Sequence, residues 1–349
     1  MTGGHVFESP HRLVSPMIAV VITCYNYERY VEGAIRSVLD QNCDACELVV
    51  IDDGSTDASW DIIGRTGVRA FRTENRGQRA ACLYGLERTS APFILFLDAD
   101  DECKPGALKT ILKALDPSVA KLQFSLTCID DADRVIRPRH PVLRAFRERD
   151  NLAKQVLRSA VYQTPPTSGN VFRRDVCELL SECDYDRAVD GVILFAAPFM
   201  GDVISLPEDL GIYRIHDRND SGLGRLPDAS TFERDLRRFL LRAAHLKEII
   251  RRYRPEARLI DARETYYFHS TLFCAAICAG RRLSPRDFLK LLWVLASEPH
   301  PIRQKAMNAA FCLVTYLAPL KRAKALLACR LSVGERSARS LLRAAMASG

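Results

Sequence analysis

Four short apolar runs, each ending in polar or acidic residues, set the pattern of the first hundred positions. Met17-Ile-Ala-Val-Val-Ile-Thr23, Glu47-Leu-Val-Val-Ile51, Val68 to Arg72 and Phe93-Ile-Leu-Phe-Leu97 read as strands. The continuous runs among them are those of strands buried on both faces, the kind found in a mainly parallel sheet. Helical spacing fills the gaps. Ala34, Ile35, Val38 and Leu39 share one face of a helix over 29–39, a second follows Asp57, and a third runs to about Glu87. Strand alternating with helix four times predicts an α/β, doubly wound parallel half.

Further along, a helix is expected from Gly106 to about Leu115, and Lys121 to Cys128 reads as a strand in an antiparallel part of the sheet. Residues 130–165 read as loop and helix with no legible motif, an apolar helix runs from Asp190-Gly191 to about Met200, and Gly211 to His216 reads as an edge-like strand. From Thr231 the pattern is helical, over 232–253, 258–280, 284–297 and 301–331.

Charge divides the chain in a way the total of +7 conceals. Residues 225–349 hold 24 Lys+Arg against 10 Asp+Glu, a net +14, while residues 1–224 hold 26 against 33, a net −7. The change falls near Gly222-Leu-Gly-Arg-Leu-Pro227, which places the expected boundary between a domain of residues 1–224 and a basic, mainly α-helical region of residues 225–349. The twelve cysteines mostly lie in apolar runs, and the lone Cys43-Asp-Ala-Cys46 pair has no second pair to complete a zinc site, so they read as free thiols. Met1 to Arg12 lacks the apolar core of a signal peptide, and no apolar run approaches the ~18–20 residues of a membrane span, so a cytoplasmic location is expected.

Candidate chemistry gathers at the strand ends. In open parallel sheets ligands bind beyond the carboxyl ends of the strands. Asp98-Ala-Asp100-Asp101 follows the fourth run directly, and carboxylates this close repel one another unless a cation lies between them. A hard divalent ion takes one or two carboxylates and completes its shell with phosphate oxygens. The plainer reading is an acidic turn with Asp101 capping the next helix. The converging crevice would hold Thr23, Tyr25, Asp52, Asp53, Asp98 and Asp100. Tyr25 could stack on a base or simply pack, and Asp52 or Asp53 could accept the imide N–H of uracil or thymine. Neither GxGxxG after the first strand nor GxxxxGK[ST] anywhere is present, which excludes a dinucleotide fingerprint and a P-loop.

Ile22-Thr-Cys-Tyr-Asn26, Val49-Val-Ile-Asp-Asp-Gly-Ser-Thr-Asp57, Asn75-Arg-Gly-Gln78 and Phe96-Leu-Asp-Ala-Asp-Asp101, in this order and spacing, resemble the successive motifs of family 2 inverting glycosyltransferases. The resemblance implies a GT-A-like mixed sheet with a nucleotide-binding half, and it continues more loosely to about Ser221. It implies that Asp52 and Asp53 contact the base and ribose of a nucleotide-sugar and that Asp98 and Asp100 hold its diphosphate through Mg2+ or Mn2+. Asp190, at the start of the apolar helix, takes the place of the family's general base, with Asp186 as the alternative; helix capping is the plain role for Asp190. Tyr213-Arg-Ile-His216 also resembles the family, so that His216 would complete the metal shell or touch the diphosphate, and Arg214 would neutralise phosphate charge. Where many members have Ala-Arg-Asn after the Asn-x-Gly turn, this chain has Ala81-Cys82-Leu83, which leaves Arg79 as the nearest substitute for that arginine.

The implied function is transfer of a sugar from a UDP- or dTDP-linked donor to a carbohydrate or lipid-linked acceptor in cell-envelope synthesis. A catalytically degenerate nucleotide-binding or envelope-assembly protein of the same fold is the alternative. The basic tail has two readings: a helical domain with a solvated Arg-rich face, or peripheral docking on an anionic inner membrane surface. Nucleic acid is disfavoured as a partner because no module pattern for it is present.

Overall fold

The computed structural model describes residues 15–186, 189, 191–216, 228–299 and 301–331. The described residues divide into two compact units, the first within 1–154, 162–214 and 252–255 and the second within 155–161, 215–251 and 256–349.

The first unit begins with the alternation β1 (Ile18–Cys24), α1 (Val31–Leu39), β2 (Cys46–Asp52), α2 (Ser59–Arg65), β3 (Ala70–Arg72), α3 (Gln78–Glu87) and β4 (Phe93–Asp98). Every residue of β1 from Ile18 to Ile22 and of β4 from Phe93 to Leu97 is buried, which is why neither strand shows a polar alternation. α1 buries Val31, Ala34, Ile35 and Val38, the stripe that its spacing predicts. α3 lies directly on the sheet at Gly85, where a Cβ would come 2.4 Å from Val21 Cγ1.

The chain continues through β5 (Glu102–Cys103), α4 (Ala107–Ala114), β6 (Val119–Asp130), β7 (Val135–His140), β8 (Phe146–Glu148), α5 (Asp150–Ser159), β9 (Asn170–Arg173), α6 (Arg174–Glu178), α7 (Val192–Met200) and β10 (Asp202–Ile215). The sheet order is β3-β2-β1-β4-β9-β6-β10-β5, with β7 on β6 and β8 on β10. β1 to β4 pair in parallel, whereas β9 is antiparallel to both β4 and β6. The result is a mixed α/β sheet with a parallel, doubly wound half.

Several elements differ from the sequence pattern, among them the helix expected over 258–280, which spans only Tyr266–Cys278 after a 3-10 turn at Ala262–Glu264. Residues 130–165 contain the strands β7 and β8 as well as a helix. β7 is Arg-rich and has no buried residue, so it is held by backbone pairing and leaves no alternation to read. β10 is a fourteen-residue strand between β6 and β5, not an edge, and Pro207, Glu208 and Asp209 interrupt its apolar pattern. The expected helix over 301–331 is two helices, because Ala318 adopts an extended conformation before Pro319.

The second unit contains most of α8 (Ala229–Tyr253), then α9 (Tyr266–Cys278), α10 (Pro285–Ser297), α11 (Ile302–Leu317) and α12 (Leu320–Leu331). Phe273 and Ile277 of α9, Phe288 and Leu291 of α10, Cys312 of α11 and Leu327 of α12 form one core. Phe239 and Ala243 of α8 form a second with Ala160 and Ala262. No helix among the described residues is long and apolar enough to cross a membrane.

Candidate active site

Strand register brings the acidic strand ends together. Thr23 stands opposite Asp98 on β4, and Cys24 opposite Asp52 on β2. The chain leaves β1 to one side for β2 and β3, then returns to the other side of β1 for β4. The carboxyl ends of β1 and β4 therefore flank the point where strand order reverses, the usual ligand crevice of such sheets.

The turns after β1 and β2 lock together. The Asn26 N–H donates to Ser55 Oγ at 2.9 Å, the Tyr27 N–H to Ser59 Oγ at 2.9 Å, and the Thr56 N–H to Asn26 Oδ1 at 2.7 Å. Asn26 and Gly54 both have positive φ, 60° and 78°. At Gly54 a side chain would also meet the backbone, since a Cβ would lie 2.9 Å from Asn75 N. Tyr25, in the turn after β1, is 44% exposed.

The two carboxylates after β2 do different work. Asp53 accepts the backbone N–H of Arg76 at 3.0 Å and of Gly77 at 2.8 Å, so it fixes the Asn75-Arg76-Gly77 turn. Asp52 is fully buried; its Oδ1 accepts the Ser55 N–H at 3.0 Å and lies 3.3 Å from Arg72 Nε. Its Oδ2 is buried with no hydrogen-bond partner. A buried carboxylate oxygen left without a donor is costly, and a ligand N–H or O–H would satisfy it.

Asp98, Asp100 and Asp101 offer oxygens that all lie within 4.8 Å of one another. Burial, and then the charges of Asp100 and Asp98, push the Asp101 carboxyl well above the usual carboxylate range. Asp101 Oδ2 is buried without a hydrogen-bond partner. An all-oxygen, mutually repelling donor set fits a hard divalent cation. Two uncharged side chains orient the cluster: Gln78 Nε2 donates to Asp98 Oδ1 at 2.5 Å, and Ser168 Oγ accepts the Asp98 N–H at 3.1 Å. Gln78 closes the Asn75-to-Gln78 motif, and Ser168 lies in a 3-10 turn before β9. Their contacts depend on how α3 and the 3-10 turn at Thr167–Gly169 dock, and spacing does not reveal that.

Two arginines are engaged by the protein itself. Arg214 is buried, with its guanidinium on Asp133, Glu102 and the carbonyl oxygens of Asp100 and Asp130, and over the Tyr30 ring. It braces β10 against the acidic turn. Arg79 donates to the carbonyl oxygens of Asp186 at 2.9 Å and Leu180 at 3.0 Å, so it holds the segment before α7. His216 follows the last residue of β10 and is buried. Asp190 lies outside the described residues.

An acidic cluster beyond the strand ends of a half-parallel mixed sheet is the arrangement of a GT-A-like fold. Residues 19–180 match Glycosyl transferase family 2, so this part of the chain resembles that family. An uncharacterized glycosyltransferase of Nostoc sp. is 34% identical over 214 residues, 58% of this chain and 66% of that protein. The putative teichuronic acid biosynthesis glycosyltransferase TuaG of Bacillus subtilis is 34% identical over 105 residues, 28% of this chain and 41% of its own. The chain thus spans less than two thirds of the length of either relative. Among solved structures, S. aureus TarS residues 1–349 in complex with UDP-GlcNAc superposes with a TM-score of 0.50 at 14% identity, over 94% of this chain and 90% of that one, a likeness of fold.

Proposed function

We propose that this chain is a metal-dependent inverting glycosyltransferase that moves a sugar from a UDP- or dTDP-linked donor to an acceptor hydroxyl in cell-envelope polysaccharide or glycoconjugate synthesis. The observation that carries the reading is the convergence of Tyr25, Asp52, Asp53 and the Asp98-Asp100-Asp101 cluster at three neighbouring strand ends. The orphaned Asp52 oxygen supports base recognition through an imide N–H, with Tyr25 as stacking surface and Thr23 beside the diphosphate. The teichuronic acid name of TuaG and the UDP-GlcNAc bound to TarS support an envelope role and a UDP-linked donor.

Asp98 and Asp100 would hold Mg2+ or Mn2+, which when bound neutralises charge on a leaving diphosphate. Asp53 keeps the 75–77 turn in place under the nucleotide. Asp190 accepts the proton of the acceptor hydroxyl. That oxygen bonds to the anomeric carbon as the bond to the diphosphate breaks, inverting the centre and releasing the nucleoside diphosphate. The net +14 of residues 225–349 supports attachment to an anionic membrane surface on the cytoplasmic side.

The test is release of UDP or dTDP from a panel of nucleotide-sugars with Mn2+ and envelope-type acceptors. Acceptor-dependent release that EDTA abolishes is expected. Release that ignores the acceptor would reassign the site to hydrolysis, and donor binding without release under any acceptor would support the degenerate alternative.

A further inference from the structure

The helices of the second unit leave one face that their own core does not explain. In α11, Ile302, Ala306, Ala310, Leu313 and Leu317 recur at helical spacing and are all exposed, with Met307 and Val314 alongside. Ile302 is 85% exposed and Leu317 67%. The buried residues of this helix, Cys312 and Thr315, lie on the opposite side. A surface helix normally turns its apolar stripe inward; here the apolar stripe, about 22 Å long, points outward. α10, which packs beside α11, adds exposed Leu289 and Trp293, spaced one turn apart.

The charges on α11 and α12 are of one sign, whereas Leu289 and Trp293 of α10 stand beside Glu264 and Asp287 as well as Lys290. Residues 302–331 hold six Lys+Arg (Arg303, Lys305, Lys321, Arg322, Lys324 and Arg330) and no Asp or Glu. Contiguous exposed apolar surface marks a docking site, and an apolar helix face with a basic border fits the boundary between anionic headgroups and acyl chains. Trp293 beside Lys290, whose ammonium lies 4.6 Å from the ring centroid, suits the same depth. A second copy of the chain fits less well, because a two-fold contact through this face would bring two stretches of the same positive charge together.

We propose that the outward face of α11, continued by Leu289 and Trp293 of α10, lies in the headgroup region of an anionic membrane. This rests on the membrane attachment in the proposed function and assigns it to one helix face.

The experiment is sedimentation of the full chain with vesicles of phosphatidylcholine alone or mixed with phosphatidylglycerol, at low and high salt, with light scattering for oligomeric state. The parent should bind the mixed vesicles at low salt and lose most binding at high salt or on phosphatidylcholine. Leu313→Asp with Leu317→Asp should weaken binding by at least about tenfold, with the melting temperature unchanged because both positions are exposed. Arg303→Glu with Lys321→Glu tests the charged border without touching an apolar residue and should weaken binding too. Binding that survives both variants leaves membrane attachment standing and overturns its assignment to this face. No binding by the parent overturns both. A dimer that the Leu313/Leu317 variant dissolves, with no vesicle binding, makes the face a self-association surface and also overturns the proposal.

Discussion

Gln78 Nε2 lies 2.5 Å from Asp98 Oδ1, so the first residue of α3 is tied to the last residue of β4. The bond uses one Asp98 oxygen and fixes the plane of the carboxylate. Under the proposed metal role, Gln78 stands behind the ligand and orients it. Side chains that hold a metal ligand from behind in this way are typically worth about 10- to 100-fold in metal affinity. Gln78→Ala is expected to lower Mn2+ affinity by about that factor, read by calorimetry on the protein without donor, while the melting temperature changes little. Unchanged affinity would leave the bond as a brace between α3 and β4 only.

Asp52 and Asp53 are adjacent in sequence but differ in what they satisfy, so their alanine variants should separate. Asp53→Ala strands two backbone N–H donors, those of Arg76 and Gly77. Hydrogen bonds to a charged group contribute about 1.5–3 kcal/mol each, so for two of them a stability loss of roughly 3–6 kcal/mol in urea is expected, with nucleotide affinity falling as the 75–77 turn loosens. Asp52→Ala leaves that turn intact and should act mainly on UDP affinity, by about tenfold or more, through loss of the oxygen that has no protein partner. Equal melting temperatures and equal UDP affinities for the two variants would refute this division.

The position of α3 depends on a close approach that only glycine permits. A Cβ at Gly85 would lie 2.4 Å from Val21 Cγ1 and 3.3 Å from Ile51 Cγ1, both in the buried sheet. Gly85→Ala is expected to cost about 1–3 kcal/mol from overpacking and, by lifting α3, to weaken Mn2+ binding through Gln78. Val21→Ala opens space at the same point. The double variant should therefore be more stable than the sum of the single losses, a coupling that a thermodynamic cycle measures. Additive losses would mean that helix and strand do not press on each other there.

The parallel half was legible because every strand in it carries an apolar run and ends at a polar turn. Asp52, Asp53, Asp98 and Asp100 could be placed in one crevice from topology alone, since strand ends in such a sheet converge. The separate work of Asp52 and Asp53 was hidden because it depends on which backbone N–H groups the 73–77 segment turns toward the sheet. Arg214 and Arg79 show the same limit from the other side. Each is a cation at a motif, and only the fold reveals that backbone carbonyl oxygens engage Arg79 and that carbonyl oxygens and carboxylates engage Arg214. β7 was illegible because none of its residues is buried. The outward apolar stripe of α11 reads, by periodicity, the same as an inward one, since spacing gives the face and not its direction.

The general base is tested by a substitution that keeps the shape of the residue. Asp190→Asn retains size and polarity but cannot take the acceptor's proton. General-base assistance is typically worth ~100- to 10,000-fold in rate, and a loss of transfer of that order is expected. UDP affinity, assigned to Tyr25, Asp52 and the Asp98–Asp101 cluster, should stay within about twofold, since Asp190 acts on the acceptor side of the anomeric carbon. If Asp190 served only to cap the apolar helix, Asn would replace it well, because the two residues cap about equally. Measured transfer rate and UDP affinity together therefore separate the roles. Near-parental transfer by Asp190→Asn would remove the base from this position, and Asp186, whose backbone carbonyl Arg79 holds, would be the next residue to substitute.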